Sequence, residues 1–185
     1  MENFEFYSPT YFVFGRGTEN ETGKFVKKYG GHKVLIHYGG GSVVRSGLLD
    51  RVKASLDAEG IQHVELGGVK ASPHSDLVYQ GIELARKEGV DFVLPIGGGS
   101  VMDAAKLASV LVTDDYGVKE LLDNPGMAQK CVPIVLIPTT AGTGAEVTPN
   151  AIVAVPEKEL KVGIVNENMI ADYVILDARM IKNLP

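Results

Sequence analysis

The sequence predicts an α/β protein with a Rossmann-like parallel sheet and helices on both faces. Three observations support this fold class. Short apolar runs alternate with segments of helical periodicity from position 33 to position 108, which is typical of parallel strands joined by helices. Three apolar runs end in turns of glycine or hydroxyl residues, at 39–42, 97–100 and 139–146. Because such turns share the carboxyl edge of a parallel sheet, we expect a ligand site there.

The composition is that of an ordinary globular protein, with 45% hydrophobic and 22% charged residues in 185. A net charge of -5 without a basic cluster argues against a nucleic-acid partner. No apolar run reaches bilayer length and the N-terminus does not resemble a signal peptide, so we expect a cytoplasmic protein without a membrane partner. Cys131 is the only cysteine, which excludes an intrachain disulfide. The four histidines lack ligand spacing, so no metal site is predicted in this chain.

Periodicity and turn residues predict the elements of the first half. Thr18 is the expected cap of a helix over 19–29, with Glu21 as its capping-box partner. The predicted strands and the next helix are an edge strand at 9–15, a buried strand at 33–38, a helix at 43–59 and a strand at 61–66.

The second half is predicted in the same way. After a loop at 67–75 we expect a helix at 76–88, a strand at 92–96, a helix continuing to Ala108, and a short helix at 116–122. Further strands are predicted at 132–138, 151–155, 161–165 and 173–176, and the turn at 156–159 makes the middle pair a β-hairpin.

The stretch from 91 to 108 reads as strand, glycine turn and helix. The turn is predicted to leave backbone N–H groups unpaired at the positive end of a helix dipole, which favours anion binding. These N–H groups belong to Gly98, Gly99, Ser100 and Val101. No side chain at the glycines would keep a phosphate from the backbone.

Asp103 and Lys106 follow on the first turns of the same helix. They are three residues apart, so we expect both to face one cleft. A glycine turn that only lets strand and helix pack closely is the alternative for this motif taken alone.

Three motifs resemble those of the iron-containing (group III) alcohol dehydrogenases. They are G-G-G-S-x-x-D-x-x-K at 97–106, P-T-T-A-G-T-G-x-E-V-T at 138–148, and the opening P-T-Y-F-V-F-G at 9–15. Residues 38–42 and 65–73 are most similar to the butanol dehydrogenase branch. The second half is more similar to the lactaldehyde reductase and propanediol oxidoreductase type, and the resemblance covers the whole chain.

The resemblance implies a domain organisation. Members of the family join a Rossmann-like domain, similar to that of dehydroquinate synthase, to an all-helical domain with one aspartate and three histidines as metal ligands. Residues 1–185 would be the dinucleotide-binding domain, and the helical domain, absent from this chain, would follow Pro185. Fe²⁺ or Zn²⁺ is therefore expected only with that second domain.

The resemblance also implies cofactor contacts. The pyrophosphate would be held by Gly97, Gly98, Gly99 and Ser100, with Asp103 and Lys106 near the nicotinamide ribose and the cleft. Thr139, Thr140 and Thr143 would contact the pyrophosphate, the adenine side or the nicotinamide amide. Asn150 and Lys161 match family positions that touch the cofactor. Ser72 occupies a position often held by asparagine near the adenosine ribose. For Asn150 and Lys161 the alternatives are a surface turn residue and a solvated strand charge.

The turn formed by Gly39, Gly40, Gly41 and Ser42 affects the choice between NADP and NAD. An NAD-specific site usually has an acidic side chain against the ribose 2′-hydroxyl, whereas this turn offers N–H groups and a hydroxyl. We therefore favour NADP, with Arg45 as the nearby cation for a 2′-phosphate. A plain tight turn is the alternative.

The leading hypothesis is an NAD(P)- and metal-dependent alcohol dehydrogenase or aldehyde reductase acting on a small alcohol or aldehyde. This chain would supply the cofactor half and be inactive alone. The alternatives are a stand-alone nucleotide-binding fragment without catalysis, or a relative such as glycerol dehydrogenase, maleylacetate reductase or a dehydroquinate synthase-like lyase. Exposed apolar surface would allow a homodimer.

Overall fold

The computed structural model describes residues 3, 5 and 7–182, and this part of the chain folds around a parallel sheet. The strands in chain order are β1 (Tyr11–Phe14), β2 (Lys33–Gly39), β3 (Gln62–Val69), β4 (Phe92–Gly97), β5 (Val135–Pro138), β6 (Asn150–Val155), β7 (Leu160–Val165) and β8 (Tyr173–Leu176). The sheet has the order β1-β8-β5-β4-β2-β3, with every neighbouring pair parallel. The edge position predicted for the first strand is confirmed.

Helices cover both faces of the sheet, as predicted. One face carries α1 (Thr22–Lys28), α2 (Ser42–Arg45) and α3 (Leu48–Ala58), and the other carries α4 (Ser75–Glu88), α5 (Gly99–Leu111) and α6 (Val118–Asp123).

The central strand β4 shows how the two cores are divided. Phe92 and Leu94 point to the first face and join the cluster of α1 and α3, whereas Val93 packs with Met102 of α5 on the other face. All of β4 is buried. Alternation of side chains between two covered faces explains the continuous apolar run in the sequence.

The hairpin of β6 and β7 lies against α5, outside the main sheet. Its antiparallel register runs from Asn150 opposite Val165 to Val155 opposite Leu160. Val153 is fully buried in the same cluster as Leu107 of α5. The predicted hairpin is therefore confirmed, and it covers the helix that follows the glycine turn.

The predicted cap and capping box of the first helix are wrong. The Thr18 hydroxyl donates instead to the carbonyls of Gly15 (3.1 Å) and Leu176 (3.2 Å), which ties the end of β1 to the end of β8. Residues 18–21 form a 3₁₀ turn, and neither this turn nor α1 has a side-chain cap.

The helix predicted over 43–59 is divided in two. Gly47 has a left-handed backbone (φ 70°), which ends α2 and lets α3 start in a new direction. Other boundaries moved by a few residues: β3 continues through the predicted loop to Val69, α5 extends to Leu111, and β5 begins only at Val135.

Candidate functional site

The three predicted turns meet at the carboxyl edge because β2, β4 and β5 are neighbours in the sheet. The backbone N–H of Thr139 donates to the Gly97 carbonyl at 2.8 Å. A Cβ added at Gly98 would lie 3.2 Å from the Thr140 hydroxyl, and one at Gly99 would lie 3.2 Å from the Thr143 methyl group. The glycine turn and the threonine turn are thus in direct contact.

The start of α5 has the backbone that anion binding requires. Gly98 precedes the helix in an extended conformation (φ −86°, ψ −175°), without a side-chain cap. Gly99 and Ser100 open the helix, so their N–H groups have no intrahelical acceptor. The Val101 N–H differs from our prediction, because it donates to the Gly98 carbonyl at 3.0 Å. Of the four N–H donors predicted at this turn, Val101 is therefore not available to a ligand.

The Thr140 hydroxyl faces this turn without a hydrogen-bond partner among the described residues. Its oxygen is buried. It lies 3.2 Å from the position that a Cβ at Gly98 would occupy. A buried hydroxyl without a partner is unfavourable. A ligand seated on the glycine turn would give it a partner.

The turn after β2 lies beside the same helix. A Cβ at Gly39 would be 3.6 Å from the Val101 side chain on the first turn of α5. Gly41 has φ 105°, and Ser42 then begins the one-turn helix α2 as an exposed residue. The two Gly-Gly-Gly-Ser turns are therefore adjacent at one edge of the sheet.

A cavity of about 810 Å³ opens beside these turns, on the face covered by α1 and α3. Two predicted cofactor residues, Ser42 and Thr139, contribute to its wall. Four arginines also line it, namely Arg16, Arg45, Arg51 and Arg179.

Two carboxylates balance part of this positive charge. Asp177 accepts from the Arg179 Nε at 2.8 Å, and the guanidinium holds the pKa of that buried carboxyl well below its usual range. The buried Glu19 accepts from the Arg51 Nε at 2.9 Å. Arg45 forms no ion pair within the part of the chain that the structure describes. The cavity is therefore suited to an anionic group.

Two other predicted residues form a pair on the opposite side of α5. The Lys161 ammonium donates to the Ser72 hydroxyl at 2.9 Å, and Ser72 is held in a left-handed backbone (φ 55°). The neighbouring Pro73 carbonyl accepts from the Ala154 N–H at 2.8 Å, which joins this loop to the hairpin. Asn150 begins the hairpin with an exposed side chain.

Asp103 and Lys106 do not face a cleft together. Lys106 is fully buried, and its ammonium donates to the carbonyls of Ala145, Thr148 (2.7 Å) and Asn150 (3.2 Å). Burial raises the pKa of Asp103, and a hydrogen bond from the Ile152 backbone opposes that rise. The prediction of a shared cleft failed because α5 turns both side chains toward the hairpin and its preceding loop.

Neither a metal cluster nor a membrane span is found in the described part. Residues 3, 5 and 7–182 contain no group of three or more His, Cys, Asp or Glu side chains placed to hold a metal ion. Within the same residues no helix has the length and apolar character needed to cross a bilayer.

Comparison with known proteins decides the family. The model of the family described as iron-containing alcohol dehydrogenase matches residues 9–178. The chain belongs to this family. Its membership favours the alcohol dehydrogenase hypothesis over a dehydroquinate synthase-like lyase.

Among relatives of this iron-containing alcohol dehydrogenase domain, NADH-dependent butanol dehydrogenase A of Clostridium acetobutylicum is 36% identical over 185 residues, which are 100% of this chain and 47% of the relative. Lactaldehyde reductase of Escherichia coli is 32% identical over 174 residues, covering 93% of this chain and 45% of that protein. The crystal structure of butanol dehydrogenase A from Thermotoga maritima superposes with a TM-score of 0.95 and 37% identity, over 100% of this chain and 46% of that one. The chain thus spans about half the length of these relatives.

Sequence reasoning missed most of the arginines in the cavity of this iron-containing alcohol dehydrogenase domain. Arg16 follows β1 and Arg179 follows β8, more than 160 positions apart, and parallel pairing of these two strands brings them together. Arg51 comes from α3. Only Arg45 could be identified from the local sequence, because it lies close to the turn at 39–42.

Proposed function

We propose that the chain is the dinucleotide-binding half of an NAD(P)-dependent alcohol dehydrogenase or aldehyde reductase that acts on a small alcohol or aldehyde. The observation that carries this proposal is the unpartnered Thr140 hydroxyl facing the bare backbone of Gly98 at the start of α5. Membership of the iron-containing alcohol dehydrogenase family and the names of the relatives support the reaction class.

The glycine turn would hold the pyrophosphate of the cofactor. N–H groups of Gly98, Gly99 and Ser100 would donate to phosphate oxygens at the positive end of the α5 dipole. Thr140 would donate from the facing turn, with Thr143 beside it. Gly97 is too crowded for a side chain, since a Cβ there would lie 2.6 Å from Val101.

The arginine-lined cavity would receive the adenosine end. Ser42 and Thr139 in its wall connect it to the two turns, with Gly39, Gly40 and Gly41 forming the near rim. We propose a preference for NADP over NAD, because the rim has no carboxylate to repel a 2′-phosphate. The guanidinium of Arg45 supports this, since its Nη1 lies 3.4 Å from the Cβ position of Gly41. The names of the butanol dehydrogenases favour NADH for those proteins.

Four further predicted contacts would serve the other end of the cofactor. Asn150, Lys161 and Ser72 lie around the hairpin on the far side of α5, and Asp103 is on the face of α5 that this hairpin covers. We place Asp103, Asn150 and Lys161 toward the nicotinamide half. Ser72, which the resemblance places near the adenosine ribose, accepts from Lys161, so we assign it to the nicotinamide half instead.

Catalysis would need more than the described residues. The bound nicotinamide would supply the hydride chemistry, while this chain's residues would bind and orient the dinucleotide. The metal of the family, Fe²⁺ or Zn²⁺, would have to be held elsewhere, because the described residues offer no ligand cluster. We therefore propose that residues 1–185 form one cofactor-binding domain without activity of its own. A homodimer and a cytoplasmic location remain predictions.

A fluorescence titration of the 185-residue chain with NADH and with NADPH tests the proposal. An emission increase on excitation of the reduced nicotinamide reports cofactor binding directly. We expect saturable binding of both, tighter for NADPH and unchanged by Fe²⁺ or Zn²⁺. We also expect no oxidation of NADH with butanal.

The outcomes separate the parts of the proposal. Absence of binding by either cofactor would contradict the dinucleotide site. Equal affinity, or tighter NADH, would contradict the NADP preference alone. Turnover of butanal by this chain would contradict its assignment as an inactive half.

A further inference from the structure

Lys106 is a cation in the interior of the domain. It lies in the middle of α5 and is 0% exposed, between Ala105 and Leu107, which are equally buried. Burial of an ammonium group is costly unless hydrogen bonds and charges compensate for the loss of water. A leucine or methionine would avoid that cost in a core helix, so the lysine calls for an explanation.

The ammonium is fully hydrogen-bonded. It has three protons to donate, and it has three backbone acceptors, the carbonyls of Ala145, Thr148 (2.7 Å) and Asn150 (3.2 Å). All three acceptors lie on one short stretch of chain. A single side chain of α5 therefore fixes the path of residues 145–150.

That stretch ends the connection between β5 and β6, which has no helix or strand from 139 to 149. The Val147 N–H donates to the Gly144 carbonyl at 3.1 Å, which closes one turn within it. Gly142 and Gly144 both have positive φ, at 87° and 66°. Such a loop has little regular backbone bonding to hold it, and the Lys106 bonds supply that organisation.

The proposed cofactor contacts lie on this same connection. The Ala145 N–H donates to the Thr143 hydroxyl at 3.3 Å, and the Thr143 methyl group lies against the Gly99 position. Ala145 thus links the buried ammonium to the glycine turn. At the other end, Lys106 holds the backbone of Asn150 where the hairpin begins.

Charge around the ammonium supports its protonated form. Asp103, one turn earlier on α5, and Glu146, on the connection, both favour the cation. Burial has the larger effect and lowers the pKa of Lys106 to about 8.

We propose that Lys106 is a positioning residue, whose buried ammonium holds residues 145–150 against α5 so that Thr143 and Asn150 are placed to receive the dinucleotide. This inference rests on the proposed function of the glycine turn. It replaces the direct cofactor contact that the sequence predicts for Lys106, because all three of its protons are already used within the protein.

Two variants of the 185-residue chain test this role by NADH titration. Lys106→Met keeps the apolar bulk and removes the donors, and Lys106→Ala removes the rest of the side chain. We expect Lys106→Met to weaken NADH binding roughly tenfold, within the range of about 5–150-fold that coupling between sites commonly reaches. Lys24→Met is the matched control, because Lys24 is an exposed lysine on α1 paired with Glu21, and it should bind NADH as the wild type does.

Chemical rescue distinguishes positioning from general destabilisation. The part of the side chain removed in Lys106→Ala corresponds to n-propylammonium. We expect this ion to restore NADH affinity to Lys106→Ala, whereas n-propanol, of similar shape but with a single donor and no charge, should not. Equal effects of the two additives would contradict a role for the ammonium.

The pH dependence of the wild type keeps the test valid even if both variants fail to fold. We expect NADH affinity to fall as the pH rises from 7 to 9.5, because a neutral amine has one donor fewer for the three carbonyls. A flat profile in the wild type, or unchanged affinity in Lys106→Met, would overturn the inference and leave the dinucleotide site intact. A wild type that binds no NADH would overturn the proposed function as well.

Discussion

The turn after β4 and the turn after β2 share the sequence Gly-Gly-Gly-Ser but differ in backbone and surroundings. In the first turn, side chains crowd every glycine: a Cβ would lie 2.6 Å from Val101 at Gly97 and 3.2 Å from a threonine at Gly98 and at Gly99. In the second turn, a Cβ at Gly40 would meet nothing within 4 Å. There it is the positive φ of Gly41, and not crowding, that favours glycine.

The helices that follow the turns differ as well. The first turn opens the 13-residue helix α5, whereas the second opens the four residues of α2. The first turn is enclosed by threonines and the second is open to a cavity lined by arginines. The same four-residue sequence therefore forms two different surfaces. The turn after β4 is an enclosed backbone cradle, to which we assign the pyrophosphate, and the turn after β2 is the open rim of a cavity.

The largest effect is expected from Gly98→Val. Its extended backbone tolerates valine. The added Cβ would lie 3.2 Å from the Thr140 hydroxyl, so this threonine has to shift by a few tenths of an ångström, and the side chain would fill the space between the two turns where we place the phosphate. Loss of two hydrogen bonds to a charged group, at about 1.5–3 kcal/mol each, predicts a weakening of NADH binding by roughly 1,000-fold. Fluorescence titration measures this loss.

Gly126→Val is the matched control for that variant. Gly126 lies in a short 3₁₀ turn, without positive φ, and its nearest neighbour is the Asn124 side-chain oxygen at 3.6 Å from the Cβ position. Wild-type affinity in Gly98→Val would show that the first turn is not the phosphate cradle.

The strand before the second turn, β2, contains a buried histidine that should make the free energy of unfolding depend on pH. The strand before the first turn, β4, has no such residue. On β2, His37 is buried and donates from Nδ1 to the Leu66 carbonyl (2.9 Å), whereas its register partner on β4 is Pro95. Burial lowers the pKa of His37 from 6.5 to about 4. Between these values the unfolded chain binds a proton that the folded chain does not, so the free energy of unfolding falls as the pH drops from 6.5 to 4, by about 3 kcal/mol.

Urea unfolding of the wild type and of His37→Gln across this pH range measures the contribution. We expect the loss of stability between pH 6.5 and 4 to be smaller in the variant by about 3 kcal/mol. An identical loss in both proteins would assign the acid sensitivity to other groups.

A smaller effect is expected at the second turn. Ser42→Asp places a carboxylate at the rim of the arginine-lined cavity, where it would repel a 2′-phosphate. We expect NADPH binding to weaken by roughly tenfold, about 1.4 kcal/mol, and NADH binding by less. Ser42→Asn, of similar size and uncharged, is the control. Equal losses for NADPH and NADH would mean that this turn does not approach the 2′ position.

The fold could be predicted from the sequence because its signals are local. Each signal depends only on neighbouring residues: the continuous apolar runs, the Gly89 stop after α4 and the turn at 156–159. These signals were enough to predict the strands and the hairpin. Where a distant contact decides the backbone, prediction failed. Thr18 lies next to β8, 158 positions away, and its hydroxyl bonds Leu176 rather than capping a helix.

The site was predictable in its turns but not in its side chains. The three turns meet because strand order follows from parallel connectivity. Helical spacing placed Asp103 and Lys106 together but could not say which face of α5 they occupy. The hairpin that covers this face turns Lys106 into a buried donor to three carbonyls. The arginine-lined cavity depends on β1 pairing with β8, which no local pattern indicates.

Backbone amide NMR of the 19.8 kDa chain during an NADH titration tests most directly the claim that the turn after β4, not its copy after β2, holds the pyrophosphate. We predict that the amide signals of Gly98, Gly99 and Ser100 shift most strongly and saturate together with NADH fluorescence. Those of Gly40 and Gly41 should shift less, and that of Gly126 should not move. Saturable NADH binding that leaves the Gly98, Gly99 and Ser100 signals in place would contradict this account.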